Sequence, residues 1–571
     1  MKANEIHRRR LMDNFQDKAN FIWQVADDIL RGTFKRHEYG EVILPFVVLR
    51  RMDCVYEKIK NTKSPHKEGQ KKQDLSSLNM KADGKLKFDN YSLYDLKMIS
   101  QNPKNIELNF NHYIRSYTPN VQEILENFHI DRIIPKLAKN DCLFKLVDKF
   151  TQIDLHPDKV SNHQMGYIFE ELLRRFSEIS NESAGEHYTP REVIRLMVNL
   201  LFAEHVDELK GKGIKRTVYD PACGTGGMLT IAKEHILTYI NKKVEIVLYG
   251  QELNDATYAI AKSDVLIMEE DAKNIHLGSC FSNDCLKGMQ FDFMLSNPPF
   301  GVSWKKEQEF ITREAKDPNG RFHQGLPRVS DGAMLFLQHM LSKVKKNGSR
   351  IAIIFNGSPL TNGGAGSGES NIRKWIIEND WLEAIVALPT ELFYNTGIAT
   401  YIWIVTNRKP KKRTGKIQLI NAVSFYKKMP KSLGSKRNYI PEEDIERITE
   451  LYMQFDREES EYVKIFPNEY FGYTKVTIER PLQGSSKPDP KLRDYEKIPL
   501  LRDIDEYFEK EVRPFVPNAW MDRSKDRVGY EMHLNRYFFK YKPLRNLAEI
   551  QADILALEEK SHRLFKEILE W

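Results

Sequence analysis

The chain lacks the marks of a secreted, membrane-spanning or metal-stapled protein. Its five cysteines, Cys54, Cys142, Cys223, Cys280 and Cys285, are odd in number and include no CxxC pair. That argues against both a disulfide framework and a zinc site, and suits a reducing cytoplasm. No run reaches the roughly 18 apolar residues that a membrane span needs. The longest apolar cluster, Val42 to Leu49, is broken by Pro45. Met1 to Arg10 is polar and basic with no apolar segment behind it, and so reads as no secretory signal. Internal repeats at solenoid periods are absent. Charge is nearly balanced: 87 basic residues against 80 acidic give a net +7, which permits a polyanionic partner without demanding one. What remains is an ordinary globular composition, 41% hydrophobic and 29% charged, over 571 residues. That length suits two or three domains.

Among what is present, the stretch Asn297-Pro298-Pro299-Phe300 stands out. It follows a short apolar run, Phe291 to Ser296, that predicts a buried strand. The two prolines end ladder pairing and start a rigid loop. Ligands bind at such carboxyl ends of strands in open α/β sheets. The Asn297 side-chain oxygen and the Pro298 carbonyl can both accept from one planar amino group, and Phe300 can stack on the ring that carries it. Alone, the pattern is equally a strand end with an Asn-Pro turn.

Two further strand ends join it. Thr217 to Tyr219 predicts a strand running into Asp220-Pro221-Ala222-Cys223-Gly224-Thr225-Gly226-Gly227, with a helix from Met228 to about Ile240. A strand, a glycine-rich turn and a helix make a nucleotide- or nucleoside-binding turn. Asp220 is placed to meet a ligand's ammonium, and Cys223 reads as a packing residue with no base nearby in sequence. The next strand, Val244 to Leu248, leads to Glu252, either a ribose-holding carboxylate or an ordinary charge at a helix N-terminus. Upstream, Gly185 to Glu192 precedes a helix. Thr189 and Glu192 have the spacing of a capping box, with Pro190 at the first helical position. The residues before it face either a bound anion or nothing beyond a capped helix.

The chain divides by pattern into three parts. Residues 1–165 predict a mainly helical domain, with Ile22, Val25 and Ile29 on one face of a helix ending at Gly32. A lysine-rich stretch from Lys58 to Lys87 reads as a solvated insertion or a phosphate-contacting loop. Residues 166–410 alternate strands and helices. Within them, Gly301 to Asp331 predicts a long polar loop and Thr361 to Ser370 a flexible one. Leu382 to Ala387 and Thr400 to Val405 suggest an antiparallel pair at the sheet edge. Charged residues from Arg408 to Lys416 suggest a boundary, and Gln483 to Arg493 a second linker. Residues 411–571 form a tail ending in a helix over 543–571. Leu547, Ile550, Ile554, Leu557, Leu564, Ile568 and Trp571 recur there at heptad spacing, which suits a partner helix.

The glycine turn, Glu252 and Asn297 to Phe300, in this order, resemble an S-adenosylmethionine-dependent amino-methyltransferase. With Gly185 to Arg191 placed before the turn, the order resembles the gamma arrangement of adenine methyltransferases. More closely, the chain resembles the modification subunit of type I restriction–modification systems (HsdM). The likeness includes Leu392 to Gly397, Gly529 to Glu531 and Asn535 to Phe538. It implies an α/β, Rossmann-like methyltransferase domain flanked by an N-terminal helical domain and a C-terminal helical, coiled-coil tail. It also implies S-adenosylmethionine held by Glu186, His187, Tyr188, Thr189, Pro190 and Arg191, by Asp220, Pro221, Cys223, Gly224, Thr225, Gly226 and Gly227, and by Glu252. Asn297, Pro298, Pro299 and Phe300 would act on the N6 amino group of an adenine flipped out of double-stranded DNA. The partners implied are a specificity subunit that chooses the target sequence, a second copy of the chain and a restriction subunit. No metal and no membrane are expected. The Asp that many methyltransferases place near the third strand's end is here Ser279, so the contact to the cofactor's adenine has no assigned residue. The rival readings are a stand-alone adenine methyltransferase that reads DNA with residues 408–540, a protein or RNA methyltransferase, and a non-catalytic DNA-binding scaffold.

Overall fold

A computed structural model describes residues 2–62, 88–180, 189–268, 270–394, 396–455, 460–539 and 545–569. The lysine-rich stretch falls almost wholly outside them. The chain forms two compact units, residues 1–532 and 533–571.

The first unit begins with helices. Lys2–Leu30 ends just before Gly32, whose φ of +84° lets the chain turn away. Tyr39–Thr62 absorbs the apolar Val42 to Leu49 run as a buried helical face, with Pro45 inside its first two turns. Shorter helices, among them Pro119–Asn127 and Ile130–Lys139, lead to Asn162–Ser180 and Arg191–Phe202. Glu123 is among the residues that join this helical region to the strand-bearing part of the unit. Glu123 accepts from the Tyr258 hydroxyl at 2.7 Å and from Lys262 Nζ, both on the helix Asp255–Ile267.

From Lys215 the chain alternates strands and helices. β1 (Lys215–Asp220), β2 (Glu245–Glu252), β3 (Ile275–Leu277), β4 (Phe293–Ser296), β5 (Arg350–Asn356), β6 (Leu382–Ala387), β7 (Thr400–Thr406) and β8 (Lys416–Asn421) follow in order. After the ribbon β9 (Lys427–Leu433) and β10 (Lys436–Tyr439), β11 (Val463–Pro467) rejoins the main sheet. That sheet has nine strands in the order β11-β8-β6-β7-β5-β4-β1-β2-β3. β1 to β5 are parallel, and the order reverses between β1 and β4, so their carboxyl ends open a crevice there. The central strands are buried on both faces, as helix-covered parallel sheets require.

Four expectations about the main sheet and its loops need correction. β6 and β7 are antiparallel as read, but β7 lies between β6 and β5 and not at an edge. The charged stretch from Arg408 does not break the sheet. Arg413 is fully buried, donating to Gln418 Oε1 at 2.7 Å and to Glu204 Oε1 at 3.1 Å, and β8 continues beside β6. The Gly301 to Asp331 stretch is folded: it contains the helix Gln308–Ala315 and packs Trp304, Ile311 and Phe322 on Cys280, Phe281 and Leu335. The glycine-rich stretch at Thr361 to Ser370 is pinned. Arg373 donates to the Gly363 carbonyl at 3.0 Å, and the Tyr473 hydroxyl accepts from Ala365 N at 3.1 Å.

The unit ends in a three-stranded sheet, β12 (Gly472–Glu479), β13 (Asp494–Pro499) and β14 (Trp520–Tyr530), in the order β13-β12-β14. Gln483 to Arg493, read as a linker, is therefore the connection between two paired strands. The second unit holds the helices Leu534–Tyr537 and Leu547–Leu569. The longer one has its seam uncovered, with Leu547 83%, Leu557 66% and Ile568 70% exposed. Trp571 lies outside the described residues.

Candidate active site

The glycine turn forms because β1 must stop and hand over to a helix within a few residues. Gly224 (φ +54°) and Gly226 (φ +80°) take left-handed backbone that side chains disfavour. A Cβ on Gly226 would also press to 3.3 Å on Ala261 of the neighbouring helix. Gly226 N donates to the Cys223 carbonyl at 2.8 Å, closing the turn, and the helix Gly227–His235 follows. The Cys223 thiol is buried, its pKa raised well above the usual value by that burial, and it packs where a side chain on Gly250 would collide. It is a packing group.

Asp220, at the end of β1, is 1% exposed. Its Oδ1 accepts from Ala222 N and from Ser296 Oγ, each at 3.0 Å. Ser296 is the last residue of β4, so the two neighbouring strand ends are tied together here. Burial, with a smaller repulsion from Glu252, pushes Asp220 up to about 7 against the pull of those two donors. Glu252 ends β2. Its Oε2 accepts from Gly224 N at 2.8 Å and its Oε1 from Asn254 N at 2.9 Å. Gln251, one residue earlier and so on the opposite face, donates to the carbonyls of Gly278 at 3.1 Å and Asn283 at 2.7 Å. It holds the loop that contains Ser279. Ser279 Oγ itself accepts from Phe281 N at 3.1 Å.

Asn297 is 8% exposed, at the tip of β4. Its Nδ2 donates to Thr189 Oγ1 at 2.9 Å, and its buried Oδ1 has no partner among the described residues. This overturns the capping box. The helix begins at Arg191 with Pro190 as its cap residue and no side-chain cap, Thr189 serves Asn297, and Glu192 pairs with Lys436. Arg191 is 3% exposed and its Nε donates to Glu170 Oε1 at 2.8 Å, with its guanidinium over the Tyr167 ring. It is a buried ion pair behind the turn and not part of the cavity wall. Pro298 is buried, and Phe300 is half-buried with its ring edge-on to Phe393 at 6.1 Å. Glu186, His187 and Tyr188 lie outside the described residues.

A cavity of about 660 Å³ joins these groups. Its walls include Thr189, residues 220–225, Gly227, Glu252, Asn297 and Pro299, so most of the expected residues meet there. The sequence reading missed Glu170, Trp304, Phe281 and Phe336, and had marked Ser279 only as the position of an absent Asp. The apolar members gave only a core signal, and Glu170 an ordinary helical one. Among the described residues the charged lining is Asp220, Glu252 and Glu307, with Glu170 already paired to Arg191, against Lys306. Such a wall suits a cationic ligand. Among the described residues no cluster of His, Cys, Asp and Glu could hold a metal ion, and no helix is long and apolar enough to cross a membrane.

Comparisons with known proteins agree with this geometry. The HsdM N-terminal domain model matches residues 18–150, and the N-6 DNA Methylase model matches residues 160–470. The chain is 28% identical over 470 residues to the MjaIX methylase subunit of a type I restriction enzyme from Methanocaldococcus jannaschii, a match covering 77% of this chain and 78% of that one. It is 30% identical over 320 residues to the MjaVII methylase subunit from the same organism, covering 55% of this chain and 51% of that one. The fold is shared with the type I restriction–modification methyltransferase subunit from Streptococcus thermophilus: TM-score 0.62 at 21% identity, over 80% of this chain and 96% of that one. The matched span takes in the glycine turn, Glu252 and Asn297, and more than half of the chain. The chain belongs to the N-6 DNA methylase family.

Proposed function

We propose that the protein is the modification subunit of a type I restriction–modification complex, methylating the N6 amino group of an adenine extruded from duplex DNA. The observation that carries the reading is Asn297. Its amide oxygen is buried at the rim of an acidic cavity with no partner among the described residues, while its amide nitrogen is already taken by Thr189. An acceptor held this way suits a planar amino group with two hydrogens.

S-adenosylmethionine fits the cavity's donor set, because its ammonium and sulfonium are both cationic and the lining is rich in carboxylates. Bound there, it would supply an electrophilic methyl group with a good leaving centre. Asp220 and the Gly224 to Gly227 turn would hold its amino-acid end, Glu252 its ribose, and Gly278 to Phe281 its adenine. Thr189 borders the same space. The remaining work belongs to the chain's own residues. Asn297 Oδ1 and the Pro298 carbonyl would accept the two N–H groups of the target, fixing the nitrogen lone pair and enriching it. Positioning and fixed dipoles of this kind supply most of the effect, and no base has to act first. Phe300 would stack on the base. Extrusion costs a few kcal/mol, which one aromatic stack of about 1–3 kcal/mol and backbone contacts offset.

The partners in this reading are double-stranded DNA, a specificity subunit that chooses the site, a second copy of the chain and a restriction subunit, all in the cytoplasm. Methyl transfer to duplex DNA, measured with and without the specificity subunit, tests it. Methyl-adenine that forms only with the partner supports the reading. Methyl-adenine from the chain alone replaces it with a stand-alone enzyme, and no methyl-adenine in either case removes it.

A further inference from the structure

The segment from Val423 to Ile440 holds five cations, Lys427, Lys428, Lys431, Lys436 and Arg437, and no acidic residue. It forms the β9–β10 ribbon, a two-stranded sheet separate from the main one. An isolated ribbon has marginal stability in water, so something must hold it. Its turn does. Gly434 (φ +60°) lies so close to the Tyr394 carbonyl that a Cβ there would approach it to 2.4 Å, and Ser435 N donates to that carbonyl at 2.7 Å. Lys436 is buried, with its ammonium on Glu192, on the Leu392 carbonyl at 2.9 Å and on the Asn438 carbonyl at 3.1 Å. The backbone amides of Arg437 and Asn438 both donate to the Glu391 carbonyl, at 2.9 and 3.1 Å.

These anchors connect to the candidate site at one remove, through residues that adjoin its lining. The 390–394 loop that receives the turn also carries Phe393, which meets Phe300 edge-on at 6.1 Å. Glu192, which takes Lys436, is three residues beyond Thr189, which holds Asn297.

The rest of β9 stands free. Leu433 pairs with Lys436 and Lys428 with Asn438, so residues 429–432 form a bulge opposite Arg437 alone. Pro430 within the bulge blocks pairing with another strand. Lys427 is taken by Glu443, and Arg437 by Glu391 at 3.7 Å. Lys428 and Lys431 are exposed and, among the described residues, form no ion pair.

The geometry points to the β9 bulge as a clamp on the DNA sugar–phosphate backbone beside the extruded base, with Lys428 and Lys431 as its phosphate contacts. This deepens the function proposed above and rests on it. An enzyme that swings one nucleotide out must hold the flanking backbone still. Two unpaired ammonium groups on a ribbon pinned to the loop that packs on Phe300 supply that hold without reading sequence.

The test uses the full chain and a labelled 30-base-pair duplex, with binding followed across a salt series. The Lys428→Gln/Lys431→Gln variant is compared with the unchanged chain and with Lys242→Gln/Lys243→Gln, two exposed lysines just before β2, at the sheet's other end. The expected result is a salt slope shallower by about 2, from roughly 0.9 per phosphate contact, with the control unchanged. An equal slope in the variant overturns the inference. So does an equal loss in the control, a failure of the unchanged chain to bind duplex at low salt, or a variant that loses subunit assembly and keeps its DNA slope. Failure of the unchanged chain, with its specificity subunit, to methylate DNA would instead overturn the proposed function.

Discussion

Asn297 Nδ2 donates to Thr189 Oγ1 at 2.9 Å, joining residues 108 positions apart, and in the proposed function this one bond sets which end of the amide would face the target. Without it, the side chain is free to rotate and present a donor where an acceptor is needed. Thr189→Val should lower kcat about tenfold, the worth of roughly one hydrogen bond, with the cofactor dissociation constant within twofold of normal. Thr189→Ser should restore kcat. Asn297→Ala should cost about 10²–10³ in kcat. Single-turnover methyl transfer beside a cofactor titration separates these effects. A Thr189→Val chain that loses cofactor binding and keeps kcat would assign the hydroxyl to the cofactor instead.

If Asp220 holds the cofactor's ammonium as proposed, cofactor binding should depend on pH. Burial pushes its carboxyl up to about 7, so below that pH the free protein holds it neutral. A cationic ligand favours the ionised form. Affinity for S-adenosylmethionine should therefore rise from pH 6 to pH 8 and level off above. Asp220→Asn should bind more weakly, with a flat profile. The stability of the free protein runs the other way. A carboxyl raised in the folded state contributes most below its unfolded value near about 3.9, and that contribution is lost as pH rises through about 7. Relative to Asp220→Asn, the unchanged chain should thus lose Tm between pH 4 and pH 7. Calorimetric titration and thermal melts read the two effects separately.

Glu383 is the hub of a buried network under the sheet. It accepts from Arg350 Nη1 at 3.0 Å and Nη2 at 3.2 Å and from the Tyr452 hydroxyl, with Arg413 Nε 3.7 Å away. Removing it takes away the carboxylate that pairs with the buried Arg350 guanidinium, while Arg413 keeps Glu204. Glu383→Ala should cost about 3–5 kcal/mol, the range for breaking a buried pair by deleting one partner. Urea unfolding measures it, and a loss under about 1 kcal/mol would mean that water or Glu204 takes over.

The helix Leu547–Leu569 exposes its apolar seam. Leu557→Glu with Leu564→Glu should abolish co-purification with the specificity subunit, with cofactor binding and the melting of the first unit unchanged. Retained assembly would send the search for the docking surface elsewhere.

The sequence made the crevice legible because its makers are local. Glycines after a β-branched strand, an acid at the next strand's tip and a proline pair after a third each carry their own signal. Long-range partners have none. Thr189 and Glu192 have the spacing of a capping box, yet each is claimed by a residue more than a hundred positions away, Asn297 and Lys436. The same limit applies to Arg413. A charge run ordinarily marks a solvated surface, but here Glu204, Gln418 and the Tyr452 carbonyl, distant or out of register in sequence, make its burial tolerable. In the 301–331 stretch, Trp304, Ile311 and Phe322 are too widely spaced for either period to register, though they converge on Phe281 and Leu335.

Trp304 gives the cavity a built-in optical reporter. The indole is 5% exposed, tethered by its N–H to the Arg328 carbonyl at 2.9 Å, and forms part of the lining. The sequence has seven tryptophans, and among the described residues this one alone lines the cavity. Filling the space changes the polarity at one ring edge, so occupancy should be visible as a shift in intrinsic emission that Trp304→Phe silences. Binding can then be followed in stopped flow without a label, apart from any turnover.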